Sequence, residues 1–95
     1  MTTITTPNNS FLSYSVDSDT REFIIEDLKS LVKGDGTVLM NQVIEIYKTT
    51  PDVDKMSLCA YPTDKTVDTE YLVDFYSKFG FEVIEDAGYG AIMEY

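Results

Sequence analysis

Hydrophobic and polar residues alternate in the first third of the chain, and this alternation predicts two strands. Residues 11–16 place apolar side chains at every second position, which is the spacing of a half-buried strand. Residues 17–20 read Asp-Ser-Asp-Thr, a composition that favours a turn. Residues 22–28 are rich in β-favouring Phe and Ile and predict the second strand of a hairpin. A helix is the alternative there, because Ile24 and Leu28 also lie one helical turn apart.

Two later segments have apolar residues at the 3.6-residue spacing of an amphipathic helix. In residues 39–47 the apolar positions share one face, and the helix is expected to end before Thr49, because Pro51 marks the stop. Residues 69–79 have the same spacing. Gly80 follows them and is placed to adopt the left-handed conformation that often ends a helix. The aligned residues are Leu39, Met40, Val43, Ile44 and Tyr47 in the first helix and Leu72, Phe75, Tyr76 and Phe79 in the second.

Three further apolar stretches predict short strands, and a loop at 62–68 follows the first of them. In chain order the elements are β-β-α-β-α-β-β. This order predicts an α/β fold of the α+β sandwich type, with a mixed β-sheet and two flanking helices. Asp68 or Thr69 can cap the second helix at its N-terminus. The predicted strands are 56–61, 81–85 and 89–95.

The N-terminal segment 1–9 is polar, and it predicts either a flexible lead-in or an added edge segment. Residues 10–95 are then expected to form a single domain, since a chain of 95 residues suits one small hydrophobic core. No run approaches the ~20 apolar residues of a membrane helix. The chain has one cysteine and no histidine. These counts favour a cytoplasmic protein. They argue against an ordinary structural zinc site, because such a site needs several Cys or His ligands.

Acidic residues outnumber basic ones by 17 to 7, which gives the chain a net charge of −10. This excess disfavours direct binding to nucleic acid, because phosphate contacts need clustered Lys and Arg. Two interpretations of the acidic surface remain. It maintains solubility, or it docks a basic protein partner, as a mimic of nucleic acid would.

A Gly-Asp-Gly loop at 33–37 lies directly before the first helix. Glycines at 34 and 36 let the backbone approach a ligand, and the N–H groups that open a helix can hold a phosphate or pyrophosphate. A tight turn is the alternative. Asp35 argues against an anion because it adds a carboxylate to the loop, and Lys33 is the nearby compensating charge.

Three side chains are candidates for chemistry of their own. Tyr76 lies on the apolar stripe of the second helix, where it is either a core residue or a general acid. Glu26 is a candidate general base, and its alternative is the exposed polar face of a strand. Cys59 is expected to be a small buried residue rather than a nucleophile, because the chain has no histidine to activate it.

Taken together, these segments resemble the GCN5-related N-acetyltransferase family over residues 11–95. The helix-Gly-Phe pattern is the most specific part of the resemblance and the Gly-rich loop is the next, and their order and spacing agree with the family. The resemblance implies an acetyltransferase-like fold. It is carried by IIEDL at 24–28, KGDGTVLM at 33–40, MSLCAY at 56–61, YLVDFYSKFGFEVIE at 71–85 and AIMEY at 91–95.

The resemblance implies acetyl-CoA as cofactor, with its pyrophosphate at the Gly-rich loop and its pantetheine arm beside the residues that precede the loop. It also implies that Tyr76 protonates the CoA thiolate as general acid, and that the acceptor is an unknown primary amine. Thr69 stands where the family often has asparagine. The implied cofactor-binding residues are Leu28, Ser30, Leu31, Lys33, Gly34, Asp35, Gly36, Thr37 and Thr69.

The chain also departs from the family pattern. The family usually has Arg or Gln ahead of the first loop glycine, where this chain has Leu31 with Lys33 nearby. The family's first strand and two N-terminal helices have no counterpart, so the resemblance implies a domain truncated on the side that builds the amine site. A homo-oligomer would then have to supply the missing wall of that site.

Three functions are consistent with these residues. In the first, a minimal N-acetyltransferase moves the acetyl group of acetyl-CoA to a primary amine, with Glu26 or a water as base and Tyr76 as acid. In the second, a non-catalytic acidic protein reuses the fold for binding, assembly or inhibition of a host protein. Such a protein would suit a phage genome and would act in the host cytoplasm or in the virion. In the third, the domain is a sensor that binds CoA without turnover.

Overall fold

The described residues form a mixed α+β fold with a six-stranded sheet and two helices. The computed structural model describes residues 1–61, 68–88 and 90–95. Within this part of the chain the elements follow the order β-β-β-α-β-α-β-β, so the structure has one strand more than the sequence predicts. The elements are β1 (Thr2–Thr5), β2 (Phe11–Asp17), β3 (Glu22–Lys29), α1 (Asp35–Thr49), β4 (Lys55–Ala60), α2 (Thr69–Ser77), β5 (Glu82–Asp86) and β6 (Ala91–Glu94).

The additional strand is β1, which lies at one edge of the sheet. It pairs antiparallel with β2, with Thr2 opposite Tyr14 and Thr5 opposite Phe11. The N-terminal segment therefore contributes an edge strand, the second of the two alternatives that the sequence leaves open. Its threonines are β-branched and suit a strand, although only Ile4 among the four residues is partly buried.

The chain divides into two compact units, Met1–Met56 and Ser57–Tyr95. In the first unit β2 and β3 form the predicted antiparallel hairpin, joined by the turn at 17–20. Asp17 stabilises this turn, since its Oδ1 accepts hydrogen bonds from the backbone N–H groups of Asp19 at 3.0 Å and Thr20 at 3.3 Å. A β-bulge interrupts the pairing between Ser13 and Tyr14.

The core of the first unit contains the apolar face of α1. The predicted face is buried, because Leu39, Met40 and Val43 are inaccessible and Ile44 is nearly so. The ring of Phe23 on β3 is stacked on Tyr14 with centroids 4.6 Å apart and meets Tyr47 edge-to-face at 5.7 Å. The core residues of this unit are Leu12, Phe23, Ile25, Leu39, Met40, Val43, Ile44 and Met56.

Helix α1 begins earlier than the sequence predicts. Residues 35–37, which the pattern assigns to the loop, form the first turn of α1, and Gly34 is the N-cap residue with φ 96°. A positive φ at this value is costly for residues with a Cβ and easy for glycine. Gly34 therefore lets the chain reverse into the helix one turn earlier than expected. The helix ends at Thr49, one residue beyond the predicted end.

In the second unit β4, β6 and β5 lie side by side and pair antiparallel, so the two strands predicted at the end of the chain are present and form a hairpin. Asp68 caps α2, since its side chain accepts a hydrogen bond from the Tyr71 backbone N–H at 2.8 Å. Gly80 has φ 101°, the left-handed conformation predicted for it. Residues 62–67 of the predicted loop and Tyr89 of the predicted last strand lie outside the described residues.

The second unit is packed around aromatic rings. Tyr76 meets Phe75 edge-to-face at 5.2 Å and Phe81 at 6.2 Å, while Phe81 also meets Tyr95 at 5.4 Å. The other buried apolar residues of this unit are Leu58, Ala60, Ala91 and Met93. Across the described part of the chain, neither helix is long and apolar enough to cross a membrane.

Candidate functional site

The end of β3, the connection that follows it and the first turn of α1 contain all the predicted cofactor residues except Thr69. Leu28 lies near the end of β3, is half-buried and pairs with Leu12 of β2. Ser30 is exposed, and its hydroxyl donates a hydrogen bond to the backbone carbonyl of Val32 at 2.9 Å. Leu31 is exposed, as are Lys33, Gly34 and Thr37, whereas Asp35 and Gly36 are buried. This part of the predicted set therefore lies in one short continuous segment, of which residues 30–34 form the exposed connection.

Gly34 shapes the end of this connection. It is the N-cap of α1, and no side chain caps the helix there. A Cβ added to Gly34 would meet no atom within 4 Å, so the space beside its backbone is open. The Asp35 backbone N–H donates to Val32 at 3.1 Å, and the Val38 N–H donates to Gly34 at 3.2 Å. The connection is therefore an ordered turn with an open face.

The carboxylate of Asp35 is held by the connection between β1 and β2. Its Oδ2 accepts hydrogen bonds from the hydroxyls of Ser10 at 2.6 Å and Thr6 at 2.9 Å, and from the Asn8 side-chain amide at 3.4 Å. Asp35 is 9% exposed. The Ser10 hydrogen bond is the main cause that lowers the pKa of Asp35, with smaller contributions from Thr6 and Asn8, while burial acts in the opposite direction.

Ser10 links this carboxylate to the segment before α1. Its side chain is inaccessible to solvent, and its Oγ also accepts a hydrogen bond from the Leu31 backbone N–H at 2.7 Å. One hydroxyl therefore ties the β1–β2 connection to both sides of the Gly34 turn. We call Thr6, Asn8, Ser10 and Asp35 the Asp35 cluster.

The sequence interpretation missed three members of the Asp35 cluster. Ser10 and Asp35 are 25 residues apart in the chain, and no local pattern connects them. The one available signal is the polar composition of the segment 1–9, which is rich in residues that can bond a carboxylate. Because the carboxylate makes these internal hydrogen bonds, Asp35 has a structural role in addition to the charge that it adds to the loop.

Tyr76 lies in the second unit and is 7% exposed. Its backbone carbonyl accepts hydrogen bonds from the N–H groups of Phe79 at 3.0 Å and Phe81 at 3.4 Å, which close the C-terminal end of α2. Its ring packs against Phe75 and Phe81. These contacts fix the ring in the aromatic core of the unit, and a catalytic role for its hydroxyl stays a prediction.

Glu26, the candidate base, lies on β3 in the first unit. It is exposed, and its Oε1 accepts a hydrogen bond from the Ser15 hydroxyl on β2 at 2.7 Å. Thr69 is the first residue of α2 and is half-buried next to the capping residue Asp68. Cys59 is half-buried in β4, and burial raises the pKa of its thiol, which lowers the fraction present as thiolate.

An open surface depression of about 460 Å³ lies along α2 in the second unit. Tyr71, Asp74, Phe75 and Lys78 line it. The two charged side chains have opposite signs, and Tyr71 offers an exposed ring. Among the described parts of the chain, no group of three or more metal-ligating side chains lies together.

No protein-family model and no curated protein matches the chain. Among solved structures, the chain is similar to the crystal structure of Anti-CRISPR protein AcrVA5. The two sequences are 25% identical, the match covers 99% of this chain and 96% of that chain, and the TM-score is 0.79. The similarity therefore extends along nearly the whole length of both proteins.

Proposed function

We propose that this chain is a phage-encoded inhibitor of a CRISPR effector and acts in the host cytoplasm. The observation that carries this proposal is the similarity to Anti-CRISPR protein AcrVA5 over 99% of the chain, with a TM-score of 0.79. A match of this extent includes both compact units of the chain and is not limited to a single shared motif. It supports the inhibitor alternative more directly than any residue of the chain supports an enzyme.

The charge of the chain agrees with a partner of this class. RNA-guided effectors hold their nucleic acids in positively charged channels. A protein with a net charge of −10 is attracted to such a surface, and opposite charges accelerate the encounter of two proteins. The proposed mode of inhibition is therefore occupation of a basic surface that the effector needs for nucleic acid.

Acetyl transfer is the second candidate function, and it rests on the resemblance to the GCN5-related N-acetyltransferases. The turn at Gly34 supports it, because this glycine is exposed, left-handed and free of a side-chain cap at the start of α1. The hydrogen bonds from Thr6 and Ser10 to the Asp35 carboxylate also support it, since they satisfy that charge internally. In this candidate function the chain would transfer acetyl from acetyl-CoA to a primary amine, with Tyr76 as the acid.

Cleavage assays on a panel of CRISPR effector nucleases test the inhibitor proposal. Each effector is incubated with increasing amounts of the chain, either before or after the guide RNA and the target DNA are added. We expect loss of cleavage with at least one effector, and more loss when the chain is added before the DNA, because both would compete for the same basic surface. Unchanged cleavage by every effector, with and without acetyl-CoA, would overturn the proposal.

The same assay separates binding from acetyl transfer. A binding inhibitor acts without acetyl-CoA and needs amounts equal to those of the effector. A transferase requires acetyl-CoA, acts at lower amounts with time, and leaves an acetyl group on the effector that mass spectrometry detects. Calorimetry with CoA tests the third function, a sensor, for which we expect heat of binding without any acetyl transfer.

Tyrosine variants test the proposed acid. Tyr76→Phe keeps the ring that packs against Phe75 and Phe81 and removes the hydroxyl. Tyr71→Phe makes the same change at an exposed position of α2 and serves as the control. If acetyl transfer is found, we expect a loss of roughly 100-fold or more in rate for Tyr76→Phe, as for other general acids, and no loss for Tyr71→Phe. Equal rates for both variants would remove Tyr76 from the mechanism.

A further inference from the structure

Strand β5 is exposed to an unusual degree. All five of its residues are exposed, including the apolar side chains Val83 at 48% and Ile84 at 58%. Among the described strands β5 is the last in the sheet, and it pairs with β6 on one side. An edge strand presents unpaired backbone N–H and C=O groups to whatever lies beside it.

The side chains of β5 combine these two apolar residues with three carboxylates. Glu82 precedes the apolar pair, and Glu85 and Asp86 follow it. The register shifts between Val83 and Glu85, so the apolar pair lies at a β-bulge. Asp86 also accepts a hydrogen bond from the Gly88 backbone N–H at 2.8 Å, which holds the following turn.

The charges on this edge are not compensated within the described part of the chain. Glu82 lies directly opposite Glu94 of β6, and like charges in opposite positions destabilise an antiparallel pair. The ion pairs Arg21–Asp54 and Lys48–Glu45, each between two described residues, both lie outside the second unit. A basic side chain supplied by a partner would relieve the repulsion between Glu82 and Glu94.

We propose that the β5 edge is a docking site for a basic, extended segment of a partner protein, which adds to the sheet as a further strand. Backbone hydrogen bonds along the edge would give affinity, and Lys or Arg residues facing Glu82 and Glu85 would give specificity. Val83 and Ile84 would supply apolar contact at the centre. This inference rests on the proposed function, since it assigns the surface that receives the basic partner.

A second copy of the chain does not suit this edge. Two β5 strands side by side would bring three carboxylates of one copy against three of the other, and each copy has a net charge of −10. Cross-strand repulsion of this kind opposes pairing. The acidic residues thus protect the edge against self-association while leaving it suited to a segment of opposite charge.

The test uses the full chain and two synthetic peptides, one alternating lysine with valine and the other alternating glutamate with valine. We expect the lysine peptide to bind, to slow hydrogen exchange at the β5 amides and to leave the β1 amides unchanged, while the glutamate peptide does not bind. The Glu82→Gln/Glu85→Gln variant should bind the lysine peptide roughly 2- to 30-fold more weakly, the effect of two cross-strand charge pairs.

The matched control is Asp19→Asn/Glu70→Gln, which removes the same charge at two exposed positions outside the β5–β6 pair. Equal weakening in the control and the β5 variant would mean attraction by net charge alone and would overturn the inference. Protection of amides outside β5, or a dimer of the free chain in light scattering, would also overturn it.

The outcome is distinguishable from that of the proposed function. If the lysine peptide docks on β5 but no effector is inhibited, the inhibitor proposal fails and the docking edge stands. If an effector is inhibited equally by the chain and by Glu82→Gln/Glu85→Gln, and the peptide leaves β5 unprotected, the docking edge fails and the inhibitor proposal stands.

Discussion

The hydroxyl of Ser10 is shared between the Asp35 carboxylate and the Leu31 backbone N–H. Ser10→Ala takes away the partner of the Leu31 N–H and the shortest hydrogen bond to the Asp35 carboxylate. We expect a loss of about 1–3 kcal/mol in the free energy of unfolding, the usual cost of removing a hydrogen bond to a charged group. Urea denaturation measures this loss.

Ser18→Ala is the control for this prediction, because Ser18 is an exposed residue of the β2–β3 turn. Its free energy of unfolding should stay within about 0.5 kcal/mol of the parent chain. A Ser10→Ala variant as stable as the control would show that the Asp35 cluster adds nothing to stability.

The Asp35 cluster also predicts a pH dependence. Because the pKa of Asp35 is lowered in the folded chain, its ionised form stabilises the fold above the unfolded pKa of about 3.9, and this contribution is lost as the pH falls through the folded pKa. Asp35→Asn should therefore be less stable than the parent at neutral pH, and the difference should shrink below about pH 4.

The measurement is the difference in free energy of unfolding between the two chains at each pH, since the other carboxylates titrate in both. Asp19→Asn, at an exposed turn position, controls for the removal of one charge. A constant difference between parent and Asp35→Asn from neutral to acidic pH would contradict the assignment.

Among the secondary-structure elements, those set by local periodicity could be predicted. The apolar face of α1 and the β2–β3 hairpin follow from residues close together in sequence, such as Leu39 and Val43, and both are present. Helix α1 begins at Asp35 rather than after Thr37, because Gly34 turns the chain into the helix. The sequence does not predict this start, since glycine adopts several backbone conformations with similar ease. The sequence does not decide between a strand and a flexible segment for β1, because β1 depends on its pairing with β2 rather than on an apolar pattern of its own.

The candidate site was predictable only in its local part. The exposed turn at Gly34 follows from glycine spacing that the sequence makes visible. The partners of Asp35 lie on a connection 25 or more residues away, and such a contact depends on how β1 and β2 pair. The predicted roles of Tyr76 and Glu26 stay predictions, since each depends on a ligand rather than on local pattern.

Gly90, next to strand β6, lies so close to the end of β4 that there is no room for a side chain. A Cβ at this position would lie 2.6 Å from the Ala60 carbonyl oxygen and 2.7 Å from the Tyr61 Cβ. Both neighbours belong to or follow β4, and backbone atoms yield little. We expect Gly90→Ala to lower the free energy of unfolding by about 1–3 kcal/mol through overpacking, measured by urea denaturation.

Gly34→Ala is the comparison, since its Cβ would meet open space and the substitution is disfavoured by its φ of 96° instead. Amide chemical shifts separate the two causes. The Ala60 and Tyr61 amides should move in Gly90→Ala and stay in place in Gly34→Ala. Unmoved amides in Gly90→Ala would contradict the close approach.

Over the whole molecule, 17 acidic and 7 basic residues give a net charge of −10, and self-repulsion of this size opposes the compact state. Two ion pairs between described residues are exposed, Arg21–Asp54 at 2.7 Å and Lys48–Glu45 at 3.8 Å. Exposed pairs contribute little to stability. Screening by salt should therefore weaken the repulsion between like charges more than it weakens the attraction within the ion pairs.

We expect the melting temperature to rise as sodium chloride is raised from about 0.01 M to about 1 M, over which the Debye length falls from about 30 Å to about 3 Å. Recovery of about 1 kcal/mol would correspond to a rise of about 4–8 °C for a domain of this size. Glu82→Gln/Glu85→Gln should melt higher than the parent at low salt and respond less to added salt, because it removes the repulsion between Glu82 and Glu94. A melting temperature that falls with added sodium chloride would mean that ion pairs, rather than self-repulsion, dominate the electrostatics of this chain.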